Sequence, residues 1–351
     1  MKKLAFFDGH NDVLLRLLNE IEDQPANSFV TGNRRTQIDL PRAREAGFAG
    51  GFFAAFAPSP ERFDLEEYQS EDGYSVPMPP PLPIEKAQKA TLEMFDLLED
   101  IETLSAGQVR VCKSFAELQD AHSKNQIAAI MHIEGADCID AKFKMLDTLY
   151  QRGLRSIGLV WSRNNIFGYG VPFQFPAPPD IGPGLTEIGK ELVSECNRKK
   201  VLIDLSHLNQ QGFWDVASIS NAPLVATHSN AHRLCPSPRN LTDDQLRAIA
   251  GSGGVVGVNF APCFLAQNGI LSSSVPLETV LLHVNYLVQT VGEDCVALGS
   301  DFDGVMMPEE IRDVTGVPKI FAALEKHGMK PSTIEKIALK NWMRVLRQTI
   351  G

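Results

Sequence analysis

The chain has 351 residues, of which 44% are hydrophobic and 22% charged, as in ordinary globular proteins. Its 33 basic and 43 acidic side chains give a net charge of −10, which argues against a nucleic-acid partner. No apolar run could span a bilayer, and neither a signal-peptide core nor a paired-cysteine motif occurs, so we expect a cytoplasmic protein with no membrane partner.

Short apolar runs rich in β-branched or aromatic residues predict strands that are covered on both faces. They alternate with segments of helical periodicity, which favours a (β/α)8 TIM barrel in one domain over 1–351. The predicted strands are 4–7, 48–56, 127–133, 154–160, 201–205, 224–227, 255–258 and 296–298. The clearest predicted helices are 84–105, 115–124, 145–152, 185–198, 241–250 and 276–291, and Thr242 to Gln245 has the form of a capping box.

Two proline-rich stretches interrupt this alternation, at about 58–83 and 168–184. Both follow predicted strands, so on a barrel they would stand over the mouth where the strands end. We expect them to shape a substrate pocket. A subunit contact or a mobile flap is the alternative interpretation.

Residues of the kind that bind metal ions follow the ends of the predicted strands. His10 and Asp12 are two apart after the first, while Glu134, His207 and His228 each close a later apolar run. Each alone would be a hydrogen-bonded strand-end residue or a turn. A parallel barrel gathers its strand ends at one mouth, however, so their shared placement predicts a site for zinc or a similar divalent ion.

Carboxylates in this pattern also suggest catalytic roles. Glu134 follows a buried run and must find positive charge or protonate. Asp301 follows the last strand, where a carboxylate could take a proton from a metal-bound water, and Asp303 could brace the same loop. His132 has the same strand parity as Glu134, and we favour a packed interior histidine over an extra ligand.

The chain closely resembles the membrane (renal) dipeptidase family, which are zinc metallopeptidases of the amidohydrolase type. The resemblance runs from residue 8 to residue 345 and depends on six ordered motifs. These are Asp8-Gly9-His10-Asn11-Asp12, Ile133-Glu134-Gly135, Ile203-Asp204-Leu205-Ser206-His207, Thr227-His228-Ser229, Pro238-Arg239-Asn240-Leu241 and Gly299-Ser300-Asp301-Phe302-Asp303-Gly304-Val305.

This resemblance implies a (β/α)8 barrel with two zinc ions per chain. His10 and Asp12 would hold one ion, His207 and His228 the other, and Glu134 would bridge both with a hydroxide between the metals. Bound zinc lowers the pKa of water and polarises an amide carbonyl. The family also implies a homodimer.

The resemblance further implies roles for residues around the metals. Asp301 would pass a proton to the leaving amine, and Arg239 would hold the terminal carboxylate of a dipeptide with its planar guanidinium fork. Trp161 stands where the dipeptidases carry a histidine near the scissile bond, and it offers one indole donor and more bulk. Asn164 or Arg163 could supply the missing polar contact.

The leading hypothesis is a binuclear zinc dipeptidase. One alternative keeps the metals but hydrolyses another small amide, such as an N-acyl amino acid or a quaternary-amine conjugate. Trp161 and the aromatic loop 167–175 motivate it, because aromatic faces hold such cations. A non-catalytic metal-binding relative is the third hypothesis, and the presence of every ligand-type residue and Asp301 argues against it.

Overall fold

The computed structural model describes residues 3–59, 65–70 and 72–351, and a ring of eight parallel strands lies at its centre. These strands are β1 Phe6–Asn11, β2 Phe48–Phe56, β3 Ile127–Glu134, β4 Leu154–Gly158, β5 Leu202–Asp204, β6 Val225–Ala226, β7 Val255–Val258 and β8 Val296–Leu298. Each pairs with the next, and Asp8 of β1 opposite Leu298 of β8 closes the barrel. The predicted (β/α)8 fold is therefore confirmed.

Helices surround the barrel, because strands that are apolar on both faces must be covered outside as well as inside. The helices are α1 Val13–Glu20, α2 Pro25–Thr31, α3 Leu40–Ala46, α4 Ile84–Leu104, α5 Phe115–Ser123, α6 Lys144–Arg152, α7 Glu187–Lys199, α8 Gln210–Ile219, α9 Asp243–Gly251, α10 Pro262–Leu265, α11 Leu277–Val291, α12 Val317–Lys326, α13 Pro331–Glu335 and α14 Asn341–Thr349. A π-helical turn, Lys336–Lys340, joins the last two. None of the helices in the described ranges combines the length and apolar character that crossing a bilayer requires.

The helices predicted from periodicity correspond to α4, α5, α6, α7, α9 and α11, with ends within about two residues of the prediction. Thr242 begins α9 through the expected capping box, since its hydroxyl accepts from Gln245 N and the Gln245 side chain accepts from Thr242 N. Helix α8 was not among the predicted helices. Gly212 in its first turn lowers the helix propensity there, and the Asn209 side chain caps it.

A buried tryptophan fills the barrel interior at the amino-terminal side of the strands. Trp342 of α14 is 0% exposed, packs against Phe7 and Phe52, and donates from Nε1 to Leu298 O at 2.9 Å. Hydrogen bonding of the indole satisfies its one polar atom in an apolar setting. Trp342 thus fills part of the barrel interior with apolar side chains around it.

The two proline-rich loops meet each other. Part of the first, residues 60–64 and 71, lies outside the described residues. Gly73–Ser75 pairs antiparallel with both Gln69–Ser70 and Gln174–Phe175, so a small three-stranded sheet joins the loops. Phe173 of the second loop lines a cavity together with Asp12 and Glu134, which sets this loop against the predicted metal ligands.

Candidate metal centre

The five residues predicted to bind metal lie at the carboxyl ends of four strands. His10 is in β1 and Asp12 follows it, Glu134 is the last residue of β3, and His207 and His228 follow β5 and β6. All five side chains are buried, with at most 5% of each residue exposed. Strands that are far apart in sequence therefore deliver their polar ends to one place.

One carboxylate oxygen is the centre of this cluster. Glu134 Oε1 lies 3.0 Å from His207 Nε2, 3.2 Å from His228 Nε2 and 3.6 Å from His10 Nε2. His10 Nε2 is also 3.3 Å from Asp12 Oδ2. Two groups of potential ligands, His10 with Asp12 and Glu134, and Glu134 with His207 and His228, together contain all five predicted residues and share Glu134. Two further groups among the described residues join His10 to His132 and Asp204, and His10 to His228 and Asp301.

The charges of this cluster fit divalent cations. Burial raises the pKa of Glu134 well above its usual value and lowers those of His207 and His228. Burial also disfavours a charged His10, but the carboxylates of Glu134 and Asp12 outweigh it and raise the His10 pKa to about 10. Among the described residues, Asp12 Oδ1 has no hydrogen-bond partner. Imidazole nitrogens and carboxylate oxygens gathered in this way are a suitable set of ligands for zinc.

A chain of two hydrogen bonds on the side away from Glu134 orients His228. Thr227 Oγ1 donates to Asp204 Oδ2 at 2.6 Å, so it accepts from His228 Nδ1, which is 2.7 Å away. This fixes the tautomer that leaves the Nε2 lone pair facing Glu134. Sequence reasoning missed both partners. The available signal was Asp204, a carboxylate inside an otherwise apolar run.

Asp301 enters the same cavity from the end of β8. Its backbone amide donates to His10 O at 3.0 Å, and its Oδ2 accepts from Asn259 Nδ2 at 2.8 Å. Burial raises the pKa of Asp301 to about 6, although the charge of His10 opposes this. Asp301 has a φ of 63° and His207 a φ of 67°. Both lie in the left-handed region, which residues other than glycine rarely adopt. Asn259 was not foreseen from the sequence.

His132 and Asp303 take structural positions. His132 is fully buried, its Nδ1 lies 2.9 Å from Ser156 Oγ, and burial lowers its pKa to about 3. Asp303 accepts from Gln37 N at 2.6 Å and from Ile38 N at 3.3 Å, which braces its loop. The Asp303 contacts agree with the interpretation favoured from the sequence. His132 also belongs to a group of potential metal ligands with His10 and Asp204, and its Nε2 has no hydrogen-bond partner among the described residues, so its role as a packed histidine stays a prediction.

Arg239 is a buried cation with spare donors. It is 3% exposed, donates from Nη2 to His228 O at 3.2 Å, and stacks 5.3 Å from the centroid of Phe264. Within the described part of the chain, its Nε and Nη1 have no hydrogen-bond partner. Burial lowers its pKa, while the carboxylates of Asp301 and Glu134 favour the charged form. Such a guanidinium is suited to an anion supplied from outside.

Aromatic rings form the wall of the cavity above the candidate centre, which has a volume of about 100 Å³. Trp161 lies 4.9 Å from Phe56, 5.4 Å from Phe173 and 6.0 Å from His207 between ring centroids. The wall next to the candidate metal ligands is therefore largely apolar. The small cavity leaves room only for small substrate groups at the centre.

Asn164 and Arg163 were expected to replace the polar substrate contact that Trp161 cannot make, but both form hydrogen bonds within the fold. Asn164 does not line this cavity, and its Oδ1 accepts from Gly170 N at 3.2 Å. Arg163 is fully buried, where it pairs with Asp137 at 3.0 Å and donates to Ala57 O at 2.9 Å. The Arg163 donors are thus engaged within the fold, and a substrate contact by Asn164 stays a prediction.

Comparisons with known proteins agree on one family. Residues 1–350 match the family model of membrane dipeptidase, peptidase family M19. A solved dipeptidase of family M19, also described as a metallopeptidase, is 46% identical over 100% of both chains with a TM-score of 0.94. A metallopeptidase from Rhodobacter sphaeroides, solved with a phosphinate mimic of the dipeptide L-Ala-D-Ala, is 46% identical over 99% of this chain and 100% of its own, also with a TM-score of 0.94. An uncharacterised protein from the pqqA 5′ region of Klebsiella pneumoniae is 47% identical over 251 residues, 72% of this chain and 93% of that protein.

We expect Thr227→Val to weaken zinc binding by about ten- to a hundredfold, because loss of an outer hydrogen bond frees a ligating imidazole to reorient. Competition against a chromophoric chelator measures this affinity. Thr148→Val is the matched control, since Thr148 is exposed on α6 and bonds only to its own helix. Equal affinities in the two variants would contradict the orienting role of the Thr227 hydroxyl.

Proposed function

Because the chain belongs to the membrane dipeptidase family, peptidase family M19, we propose that it hydrolyses the amide bond of small dipeptides with two zinc ions bound at this centre. The observation that carries the proposal is the cluster of five buried ligand-type residues around Glu134, with Asp301 in the same cavity. The homodimer, the cytoplasmic location and the single catalytic domain expected from the sequence are part of this proposal.

The two groups of donors support one ion each. His10 and Asp12 would hold the first, His207 and His228 the second, and Glu134 would contribute to both. When bound, two such ions supply a water-derived nucleophile near neutral pH and Lewis-acid polarisation of the amide carbonyl. The chain itself supplies the fixed geometry, since Asp204 orients His228 through Thr227.

Asp301 is the proposed proton carrier. Asn259 holds one of its oxygens at 2.8 Å and so fixes the carboxyl group relative to Glu134 in the shared cavity. Burial raises its pKa to about 6, close enough to neutrality for the group both to accept a proton and to return it to the leaving amine.

Arg239 is the proposed anchor for the terminal carboxylate of the substrate. Within the described residues its Nε and Nη1 have no hydrogen-bond partner, so N–H donors remain for the oxygens of a carboxylate. A related enzyme from Rhodobacter sphaeroides was solved with a mimic of L-Ala-D-Ala, which supports including a D-residue at the second position of candidate substrates.

A second candidate reaction is the hydrolysis of another small amide, such as an N-acyl amino acid or a quaternary-amine conjugate. Trp161 with Phe56 and Phe173 favours it, because three aromatic faces could hold an apolar acyl group or a quaternary ammonium. The buried Arg239 favours a substrate with a free carboxylate, so dipeptides remain the leading assignment.

We expect purified, zinc-loaded protein to hydrolyse members of a panel of L,L- and L,D-dipeptides, and chelation of the metal to abolish this activity. Turnover is measured by the release of free amino acids, with N-acyl amino acids and choline-type amides assayed in parallel. Turnover of the non-peptide amides alone would support the second reaction. No turnover of any dipeptide would overturn the leading proposal.

We expect Asp301→Asn to lower kcat by about a hundredfold or more while zinc content stays unchanged, because the amide cannot carry the proton. Steady-state kinetics and elemental analysis together measure the two effects. Asp244→Asn, at an exposed position of α9, is the control that should leave kcat unaltered. Full activity of the Asp301 variant would rule out the proton role.

We expect Arg239→Lys to raise KM for free dipeptides by about ten- to a hundredfold, since a bidentate contact to the carboxylate is lost. Dipeptide amides lack that carboxylate, so the variant and the unaltered protein should hydrolyse them with equal efficiency. Arg233→Lys at a nearby exposed position is the control. An equal loss on both substrate types would show that Arg239 acts only on the fold.

A further inference from the structure

A second cavity lies beside the candidate metal centre and is much larger. Its volume is about 1060 Å³, against about 100 Å³ for the cavity at the centre. Five arginines line it, namely Arg16, Arg34, Arg35, Arg42 and Arg312, and we call it the arginine cleft. Such a concentration of positive charge is unexpected in a chain with a net charge of −10.

The aspartates of the arginine cleft are already engaged in its walls. Asp39 and Asp313 pair with Arg42 at 2.7 Å and 3.2 Å, and Asp303 accepts from the backbone. The other ion pairs of the cleft join Arg16 to Glu20 and Arg312 to Asp313, each at 3.4 Å. Across the residues that the structure describes, no carboxylate forms an ion pair with Arg34 or Arg35.

The backbone that carries these two arginines is fixed. The Asn33 side chain accepts from Arg35 N and from Thr36 N, each at 2.9 Å, in an Asx-type turn. Arg42 Nη2 donates to the carbonyl oxygens of Asn33 at 3.1 Å and Thr36 at 2.6 Å. The Arg34 and Arg35 side chains are exposed, and Arg35 Nη1 donates to Glu20 O. They extend from an ordered loop, which lowers the entropic cost of binding.

The arginine cleft and the metal centre share a wall. Gln37 N donates to Asp303 Oδ1 and Asp303 N donates to Gln37 Oε1, both at 2.6 Å, which ties the arginine loop to the loop after β8. Gly304 lines both cavities, and a Cβ there would lie 2.2 Å from Asp12 Oδ2 and 2.7 Å from Asp301 Oδ1. The wall at this point is one residue thick.

From these observations we propose that the arginine cleft binds a small multivalent oxyanion, a phosphate-bearing or polycarboxylate molecule, next to the metal centre. Guanidinium groups bind the oxygens of such anions in pairs, and the cleft has the volume of a small-molecule site. The proposal does not depend on which amide the centre hydrolyses.

Isothermal titration calorimetry on the full-length, zinc-loaded protein at low salt tests this proposal. The probes are inorganic phosphate, glucose 6-phosphate and tricarballylate, and the variant is Arg34→Gln/Arg35→Gln. Arg347→Gln is the matched control, because Arg347 is exposed on α14 and does not line the cleft. Any anion that binds the zinc ions themselves would bind the variant and the control equally. Thermal unfolding confirms that both are folded.

We expect the double variant to raise the Kd of at least one probe by about tenfold or more, and the control to leave it within about twofold. Binding of the phosphates alone would identify a phosphate-bearing ligand, and binding of tricarballylate alone a polycarboxylate. Equal Kd values in the variant and the control would overturn the proposal. Lack of binding by all three probes below about 10 mM would overturn it as well.

Discussion

The buried carboxylate of Glu134 is the constraint on which the centre depends. It is 5% exposed, and one of its oxygens lies 3.0 to 3.6 Å from three imidazole nitrogens. An ionised carboxylate in such a place is costly unless positive charge surrounds it. Burial lowers the pKa of His207 and His228 and so disfavours their charged forms, whereas the neighbouring carboxylates raise the pKa of His10. The closed barrel therefore gathers at its mouth a set of donors that is suited to cations.

Asp301 and Asp303 lie in the same loop after β8, but their surroundings give the two carboxylates different hydrogen-bond partners. Asp301 lies in the cavity of the metal centre with Asn259 on one oxygen, whereas Asp303 turns to the backbone of Gln37 and Ile38. Both have a positive φ, 63° and 70°. Asp301 lines the cavity at the candidate metal centre, and Asp303 holds the loop that carries it.

Much of this arrangement could be predicted from the sequence, because a polar residue that ends an apolar run is conspicuous and a parallel barrel gathers such ends. Glu134 was found in that way. Asp204 and Thr227 act through hydrogen bonds between neighbouring strands, which the order of residues does not reveal. In the same way, only the folded chain shows that the loop with Arg34 and Arg35 packs against residues 303–305.

The left-handed backbone at His207 and Asp301 affects how the proposed metal ions would bind and dissociate. These two conformations are secured by the fold's own hydrogen bonds, such as Val171 N to His207 O at 2.8 Å and Asp301 N to His10 O at 3.0 Å. Small zinc domains, by contrast, acquire their shape only when the ion arrives. Here the proposed donors take their positions as the barrel closes, so we expect a bound ion to exchange without the chain having to refold.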